Sequence, residues 1–600
     1  MSKSFSRSGS RASFLKTAAV NTVAPWTMGT ESSDQRSSSF SLFPIVEWLR
    51  RYDRSWLRSD VFAGITVAAA VIPESMAYAS LAGLPPETGL YASLFAVSTY
   101  LFFGTSKQVI YGPTSALAVL LAAQATGLGT TTTASDYATI VAVTTLLVGG
   151  IAVIAWLLRL GFLVNFISES VLTGFSAGAA LFIISTQLDK LVGIAGPSGP
   201  FYDRVWFVLT HLSGVHPLTA AVGITGIVLL VLGRKYLPRV PTALVVVLLS
   251  IAFATATNLA ARGVAVVDPI PSGLPSPAVP QFAPNIVIGL FPIALALFLL
   301  SYVEGMGAVE TFAQRNDYRA DANQELLATG VANIAAGLGQ GFVVGGSMSR
   351  SALNDAVGGK TQLTNAVIAL VLVGVLVFLT GLFTALPETI LAAVVIVAVT
   401  DLIDVPALRR LYRIDTLEFA TASSAFAGVL VFGILYGVFI GVLVSIFVVV
   451  GRATYSHTAE LGRVPESEEF SDLLRHPANE TIPGVLVYRV DAELFFANAP
   501  TVRRNLLDRL DARPSPVELV VFDLRSSPTI DVTAADTLFT IADDLAQRGI
   551  DIRLAEADGA VRDVLNEVQP DHSLGQTTLN ERVITVIEEW RDETATGTDE

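Results

Sequence analysis

Arg350 lies in Gly345-Gly346-Ser347-Met348-Ser349-Arg350-Ser351-Ala352-Leu353, where a short helical run opens inside apolar sequence. A second such run opens with Gly112-Pro113-Thr114-Ser115-Ala116-Leu117. Each follows a β-prone stretch, Gln108-Val109-Ile110-Tyr111 in one case and Gly341-Phe342-Val343-Val344 in the other. A helix that begins in mid-membrane leaves its first N–H groups unpaired, and its aligned peptide dipoles put partial positive charge there. Two such ends facing each other form a dry, neutral-to-positive pocket for an anion. Gly112, Gly345 and Gly346 allow close backbone approach, while Thr114, Ser115, Ser347 and Ser349 add hydroxyl donors. Each dipole contributes only about 0.3–2 kcal/mol, so two ends alone hold an anion weakly. Weak holding suits a carrier that must release its cargo.

An arginine at bilayer depth costs about 2.5–3.5 kcal/mol on insertion scales. Arg350 therefore either supplies a fixed positive charge to the anion site or pairs with Glu304 or Glu310 to tie helices together. Glu74 lies in Val71-Ile72-Pro73-Glu74-Ser75-Met76-Ala77-Tyr78, inside an apolar span broken by Pro73. A carboxyl group at that depth can carry a proton, or can be a structural acid bonded to a serine or a backbone amide. Energetics favour the proton, since drawing a dianion inward against 100 mV costs about 4.6 kcal/mol, or about 2.3 per charge. Glu304, in Ser301-Tyr302-Val303-Glu304-Gly305-Met306-Gly307, is the matching acid of the second half and could bind a coupling ion or counter Arg350. Tyr78 joins the expected substrate-binding residues. Glu310 and Gln314 are expected in a vestibule, and Gly174, Gly178, Gly433, Gly437 and Gly441 in helix packing.

The elements that must position these groups follow from composition. With 52% hydrophobic and 15% charged residues and a mean hydropathy of +0.58, the chain reads as a polytopic membrane protein. It has no cysteine, and its five histidines are scattered. That excludes a disulfide framework and thiolate metal sites, and no histidine cluster marks a catalytic metal. No nucleophile and base pattern, phosphate loop or cofactor motif supports an enzyme, and nothing points to nucleic acid.

A helix needs about 20 apolar residues to cross a bilayer. Spans are read near 60–83, 88–104, 113–126, 136–158, 166–190, 217–233 and 239–258, then near 285–313, 322–339, 347–357, 361–383, 386–402, 415–431 and 433–451. The short third segment of each set is one of the two breaks. The reading is therefore 14 spans as 7+7 inverted repeats, the first repeat at 60–258 and the second at 285–451. Interruptions at matching places in two halves mark the substrate site of such carriers. With a cytoplasmic N-terminus, the inside connections carry Lys107, Arg159, Arg234, Lys235, Arg239, Arg315, Arg319, Lys360, Arg409, Arg410, Arg413 and Arg452, and the outside ones almost only Arg262. That is the positive-inside pattern of a multi-pass plasma-membrane protein with both termini cytoplasmic.

Outside the spans, residues 1–42 read as a disordered tail and 43–59 as an amphipathic interfacial segment with Trp48 and Trp56. Residues 259–284 read as an extracellular connection and 452–482 as a linker. A soluble α/β domain occupies 483–592, with strands at 484–490, 519–524 and 550–555, helices at 502–510 and 534–548, a last helix at 579–591, and an acidic tail at 593–600. From Glu480 onward there are 24 acids and 11 bases, a net of −13 out of −14 for the whole chain. So acidic and Lys-poor a soluble part suits a high-salt cytosol, and a GC-rich genome gives the same bias.

These residues resemble the sulfate-permease (SulP) family of anion transporters over about 60–590. The resemblance rests on Pro73-Glu74-Ser75-Met76-Ala77-Tyr78-Ala79, Gly83-Leu84-Pro85-Pro86, Gly89-Leu90-Tyr91, Phe103-Gly104-Thr105-Ser106 and Gly112-Pro113-Thr114-Ser115-Ala116-Leu117. It continues with Ile270-Pro271-Ser272-Gly273-Leu274-Pro275, Asn323-Gln324-Glu325-Leu326, Ser349-Arg350-Ser351 and Gly358-Gly359-Lys360-Thr361-Gln362. The resemblance implies a uracil-permease-like fold, with a core domain of spans 1–4 and 8–11 moving against a gate domain of spans 5–7 and 12–14. It also implies a homodimer and a cytoplasmic STAS domain. By position, Glu74 matches the proton-linked acid, Ser349 and Arg350 the anion site, and Glu304 the ion- or substrate-linked acid. In the STAS loop Asp531-Val532-Thr533-Ala534, only Thr533 could accept a phosphate, and Asp531 or Thr533 could instead cap a helix. The expected function is proton-coupled uptake of an inorganic oxyanion, sulfate first, by elevator-type alternating access in the lipid bilayer. The alternatives are a sodium-coupled bicarbonate carrier, a proton-coupled dicarboxylate carrier, or a membrane sensor signalling through STAS.

Overall fold

The computed structural model describes residues 43–600 except 128–133, 163–167, 198, 238–239, 281–283, 570–573, 575–580 and 597–600. The expected tail at 1–42 lies outside the described residues. The first half runs α1 (Pro44–Arg50), α2 (Leu57–Leu81), α3 (Pro86–Phe103), β1 (Ile110–Gly112), α4 (Ser115–Gly127), α5 (Ala134–Leu157), α6 (Glu169–Val192), α7 (Phe201–Thr210), α8 (Pro217–Tyr236) and α9 (Thr242–Thr257). The second runs α10 (Pro284–Arg315), α11 (Ala322–Leu338), β2 (Gly345–Ser347), α12 (Met348–Ala356), α13 (Leu363–Gly374), α14 (Glu388–Val399), α15 (Val405–Ile414), α16 (Thr416–Phe432) and α17 (Ile434–Thr454). Two long helices, a strand and a short helix thus recur in the same order.

Each segment read from hydropathy falls on one of these helices. Among the described residues, seven helical stretches are long and apolar enough to cross a bilayer unaided, among them Arg54–Leu81, Glu169–Val192 and Ile286–Arg315. Two helices were not anticipated, α7 and α15. Both have ten residues, and Arg409, Arg410 and Arg413 interrupt the apolar pattern of α15, so a 20-residue filter passes over it.

Packing among the helices relies on small residues, because lipid supplies no hydrophobic drive between helices. At Gly174 of α6, a Cβ atom would stand 1.9 Å from the Ala422 carbonyl of α16. Only glycine allows that approach. The 259–284 connection is pinned along its length, with Val267 N donating to Leu386 O at 2.9 Å, Gly273 N to Leu376 O at 2.8 Å and Ala278 N to Leu338 O at 2.9 Å. Arg452 at the end of α17 pairs with Asp415 at 2.6 Å and Glu418 at 3.1 Å, fixing where that helix leaves the bundle.

The C-terminal domain is a five-stranded sheet in the order β4-β3-β5-β6-β7. Its strands are β3 (Thr458–Arg463), β4 (Phe470–Asp472), β5 (Val485–Val490), β6 (Leu519–Asp523) and β7 (Asp551–Ala555), covered by α18 (Ala499–Asp511), α19 (Val532–Gln547), α20 (Gly559–Val568) and α21 (Val583–Thr596). Strands β5, β6 and β7 are parallel, and β5 and β6 are buried on both faces, which is why those two read as apolar runs. Leu486, Tyr488, Val520 and Phe522 face Val502, Leu506, Leu538 and Val561 on α18, α19 and α20. Val485, Val487, Leu519 and Val521, the alternate positions, face Val583, Val586 and Ile587 on α21.

The stretch read as a linker, 452–482, needs correction. It holds the end of α17 and strands β3 and β4, and β3 pairs antiparallel with β5 from Thr458 opposite Val490 to Leu461 opposite Val487. The composition Thr-Ala-Glu-Leu-Gly-Arg carries no strand signal of its own, and the ladder to β5 supplies it. The last helix starts four residues later than read, and the first residues of the expected acidic tail continue α21.

Gly174→Val should drive methyl groups into the Ala422 carbonyl and lower stability by about 1–3 kcal/mol. Gly150→Ala is the control, since nothing lies within 4 Å of that position. Melting of the detergent-solubilised protein followed by intrinsic fluorescence should drop for the first variant and stay level for the second. Equal melting of both would show that the α6–α16 contact is not tight.

Candidate functional site

Strands β1 and β2 pair antiparallel, with Ile110 opposite Ser347, Tyr111 opposite Gly346 and Gly112 opposite Gly345. The chain therefore leaves β1 into α4 at one end of the pair and leaves β2 into α12 at the other. The two helices run apart, with their N-termini turned towards the strand pair. Backbone at membrane depth is tolerated only where protein groups satisfy it, and buried side chains do so here, those that brace β1 coming from the opposite half. Ser351 Oγ accepts from Ile110 N at 3.0 Å and donates to Ser347 O at 2.5 Å. Asn354 Nδ2 donates to Gln108 O at 2.8 Å, Asn365 Nδ2 to Val109 O at 3.2 Å, and Gln362 Nε2 to Ser106 O. Ahead of β2, Asn333 exchanges two 3.0 Å bonds with Val344, whose carbonyl also accepts from Ser301 Oγ at 2.8 Å.

Arg350, in the first turn of α12, is 1% exposed. Its Nη2 donates to the Pro113 carbonyl, so the guanidinium bridges from one helix start to the other. A Cβ at Gly112 would stand 2.6 Å from Nη1, so that residue must be glycine for the guanidinium to lie there. Both Nε and Nη1 are buried without a hydrogen-bond partner among the described residues. The acid beside Arg350 is Glu74, with Oε2 3.9 Å from Nε, beyond hydrogen-bond range. That Oε2 is itself buried without a hydrogen-bond partner among the described residues.

The alternative in which Arg350 pairs with Glu304 or Glu310 is therefore corrected, since the acid nearest its guanidinium is Glu74. Glu304, on α10, accepts from Thr114 Oγ1 at 3.1 Å, and Glu310 is exposed. Two acids of matching position in the two halves thus have different partners, one an arginine and the other a hydroxyl.

The remaining expected residues gather around this centre to different degrees. Ser347 caps α12, its Oγ accepting from Arg350 N at 3.5 Å and lying 3.3 Å from Ser349 Oγ. Ser349 is exposed, and Ser115 is buried at the start of α4. Gly346 packs on Gly305 of α10, where a Cβ would come within 2.7 Å of Gly305 Cα. Tyr78 is buried on α2, one helical turn beyond Glu74. Thr533 is exposed and remote from this centre, in the first turn of α19, where Asp531 is the cap, accepting from Ala534 N at 2.8 Å. Among the described residues no three His, Asp or Glu side chains converge as a metal site requires.

Several contributors were missed. Ser351, Asn333, Asn354, Gln362 and Asn365 are polar residues within or beside apolar runs, and that was their available signal. Arg234, a loop charge by hydropathy, lies in the last turn of α8. It forms an ion pair with Asp401 beyond α14.

A family model described as the sulfate permease family matches residues 57–425, and one described as the STAS domain matches 476–583. A probable sulfate transporter of Mycobacterium tuberculosis is 37% identical over 551 residues, covering 91% of this chain and 98% of its own. High affinity sulfate transporter 2 of Stylosanthes hamata is 30% identical over 578 residues, covering 92% and 87%. Among solved structures, the murine Solute Carrier 26 family member A9 anion transporter in the inward-facing state superposes with a TM-score of 0.83 at 22% identity, over 93% of this chain and 96% of that one. The transmembrane domain of the cyanobacterial bicarbonate transporter BicA aligns with a TM-score of 0.56 at 19% identity, over 66% and 98%. Those two likenesses speak to the fold. With the sulfate permease model matching more than half of its length and the STAS model matching the sheet domain that follows, this chain belongs to the sulfate permease family and carries a C-terminal STAS domain.

Proposed function

We propose that this chain is a secondary active transporter of small oxyanions, sulfate first, driven by protons carried on Glu74. The observation that carries the reading is Arg350, a buried guanidinium between two helix N-termini with two donors unpartnered among the described residues, facing a carboxylate too distant to hydrogen-bond it. The names of relatives that cover nine-tenths of the chain support sulfate as the anion. Protonation of Glu74 removes the negative charge that opposes an arriving anion and leaves Arg350 free to bind it. Release of the anion restores the Glu74 carboxylate as the counter-charge. Each proton offsets about 2.3 kcal/mol per 100 mV of the cost of moving a dianion inward.

In this reading the chain crosses the membrane 14 times, with the STAS domain cytoplasmic. A core of α2–α5 and α10–α13 slides against a gate of α6, α8, α9, α14, α16 and α17. The Glu304 and Thr114 pair favours a second reading for the coupling ion, because a carboxylate beside a hydroxyl can also hold sodium.

In proteoliposomes, Glu74→Gln should abolish sulfate uptake driven by an inward proton gradient while sparing sulfate–sulfate exchange. Uptake that still follows the proton gradient would remove Glu74 from coupling, and dependence on sodium instead would favour Glu304. Arg350→Ala should weaken sulfate affinity by about 10- to 150-fold, the loss expected for charged hydrogen bonds worth about 1.5–3 kcal/mol. Titration calorimetry should find Arg350→Lys intermediate, since lysine keeps the charge but not the fork that reaches Pro113. Unchanged affinity in both would make Arg350 a structural tie.

A further inference from the structure

On the side where α1 precedes the first long helix, α1 folds over an open recess of about 880 Å³, floored by the loops that follow α3, α10 and α12. Its lining includes Trp48, Arg51, Lys107, Tyr318, Arg319 and Lys360. Its two acids are already engaged: Glu47 pairs with Arg51 at 3.2 Å, and Asp321 accepts from Asn323 N and Gln324 N at the start of α11. Lys107, Arg319 and Lys360 are exposed and form no ion pair among the described residues, Lys107 instead lying 4.9 Å over the Tyr318 ring. The Trp48 indole N–H is buried with no acceptor among the described residues. Three unpaired cations and an unmet donor around one cavity call for a phosphate-type anion.

We propose that this recess holds the headgroup phosphate of an anionic phospholipid of the adjoining leaflet. A lipid is favoured over a free anion because apolar side chains of α1 and the following turn stand exposed beside the recess. Phe43, Val46, Leu49 and Leu57 are 43%, 45%, 58% and 50% exposed. An amphipathic helix that leads straight into a membrane span lies at the interface, with such residues among acyl chains and its cations at headgroup level. The position also has a consequence for the anion site. The Tyr318 hydroxyl bonds Ser106 Oγ at 2.7 Å and Gln108 Oε1 at 2.9 Å, and Gln362 from the same wall braces the approach to β1. A bound headgroup therefore steadies the loops from which β1 springs.

Native mass spectrometry of the full-length protein should find phosphatidylglycerol retained in preference to phosphatidylcholine, and not displaced by excess inorganic phosphate. Each removed cation should weaken retention about fivefold, the equivalent of about 1 kcal/mol. Lys107→Ala/Arg319→Ala/Lys360→Ala should therefore lose it by about 100-fold, while melting in phosphatidylcholine stays level because all three side chains are exposed. Trp48→Phe, which keeps the ring and deletes the donor, should lose it severalfold. Retention by the triple variant equal to that of the unaltered chain would overturn the proposal, as would equal retention of phosphatidylcholine. Displacement by inorganic phosphate would overturn the lipid assignment in favour of a soluble anion. None of these readouts depends on whether Glu74 couples protons.

Discussion

Everything at the centre of this molecule depends on how a broken backbone is kept satisfied where water cannot reach it. Each half interrupts its third long segment with a strand and a short helix, which removes the internal ladder that makes a helix viable in lipid. Pairing β1 with β2 restores part of that ladder. Fully buried Ser351, Asn354, Gln362 and Asn365 then hold β1 and its approach, while Asn333 and Ser301 hold Val344 ahead of β2. An unmade bond at any of these would cost about 1–3 kcal/mol. The braces explain why two helix starts can be turned inward at all, and only that geometry gives Arg350 a place to stand.

The arginine is then the asymmetric element in a nearly symmetric frame. Both halves present a glycine-lined strand and a helix N-terminus, but a single guanidinium spans the gap and bonds the Pro113 carbonyl of the opposite half. The acids divide accordingly. Glu74 faces the arginine at a distance that permits attraction without a hydrogen bond, whereas Glu304 is occupied by Thr114. A buried pair held at full contact would be self-contained and would compete with an incoming anion. A pair held 3.9 Å apart keeps attraction while leaving donors unspent.

Much of this was legible in the chain because the two breaks and the buried charges violate the apolar pattern around them. Gly112, Arg350, Glu74 and Glu304 are conspicuous in that way, and the parallel strands β5 and β6 announce themselves as unbroken apolar runs. Which acid meets Arg350 was not legible, since α2 and α12 are more than 250 positions apart and helical spacing says nothing about their contact. Strands β3 and β4 were missed for a related reason: an edge ladder takes its order from its neighbour rather than from its own residues. The bracing amides carry only a weak signal, as neutral polar residues in apolar surroundings, because an amide is far less costly to bury than a charge.

Two further buried carboxylates show how the halves become one body. Asp60 of α2 accepts from Lys360 N at 2.6 Å and from Thr361 Oγ1 at 2.6 Å in the second half. In return, Glu325 of α11 accepts from Thr105 N at 2.7 Å and from the Tyr100 hydroxyl at 3.0 Å in the first. Tyr100 stacks on Tyr111 of β1 with ring centres 4.3 Å apart, and the Tyr111 hydroxyl bonds Thr329 at 2.6 Å, one helical turn beyond Glu325. Each half therefore holds the other's loops through a fully bonded acid, and the strand pair between them cannot shift without breaking several buried bonds at once. A core locked in this way resists internal deformation. In the alternating-access reading proposed above, a motion that opens Arg350 to one side and then the other would run along the surface where this body meets α6, α9 and α14.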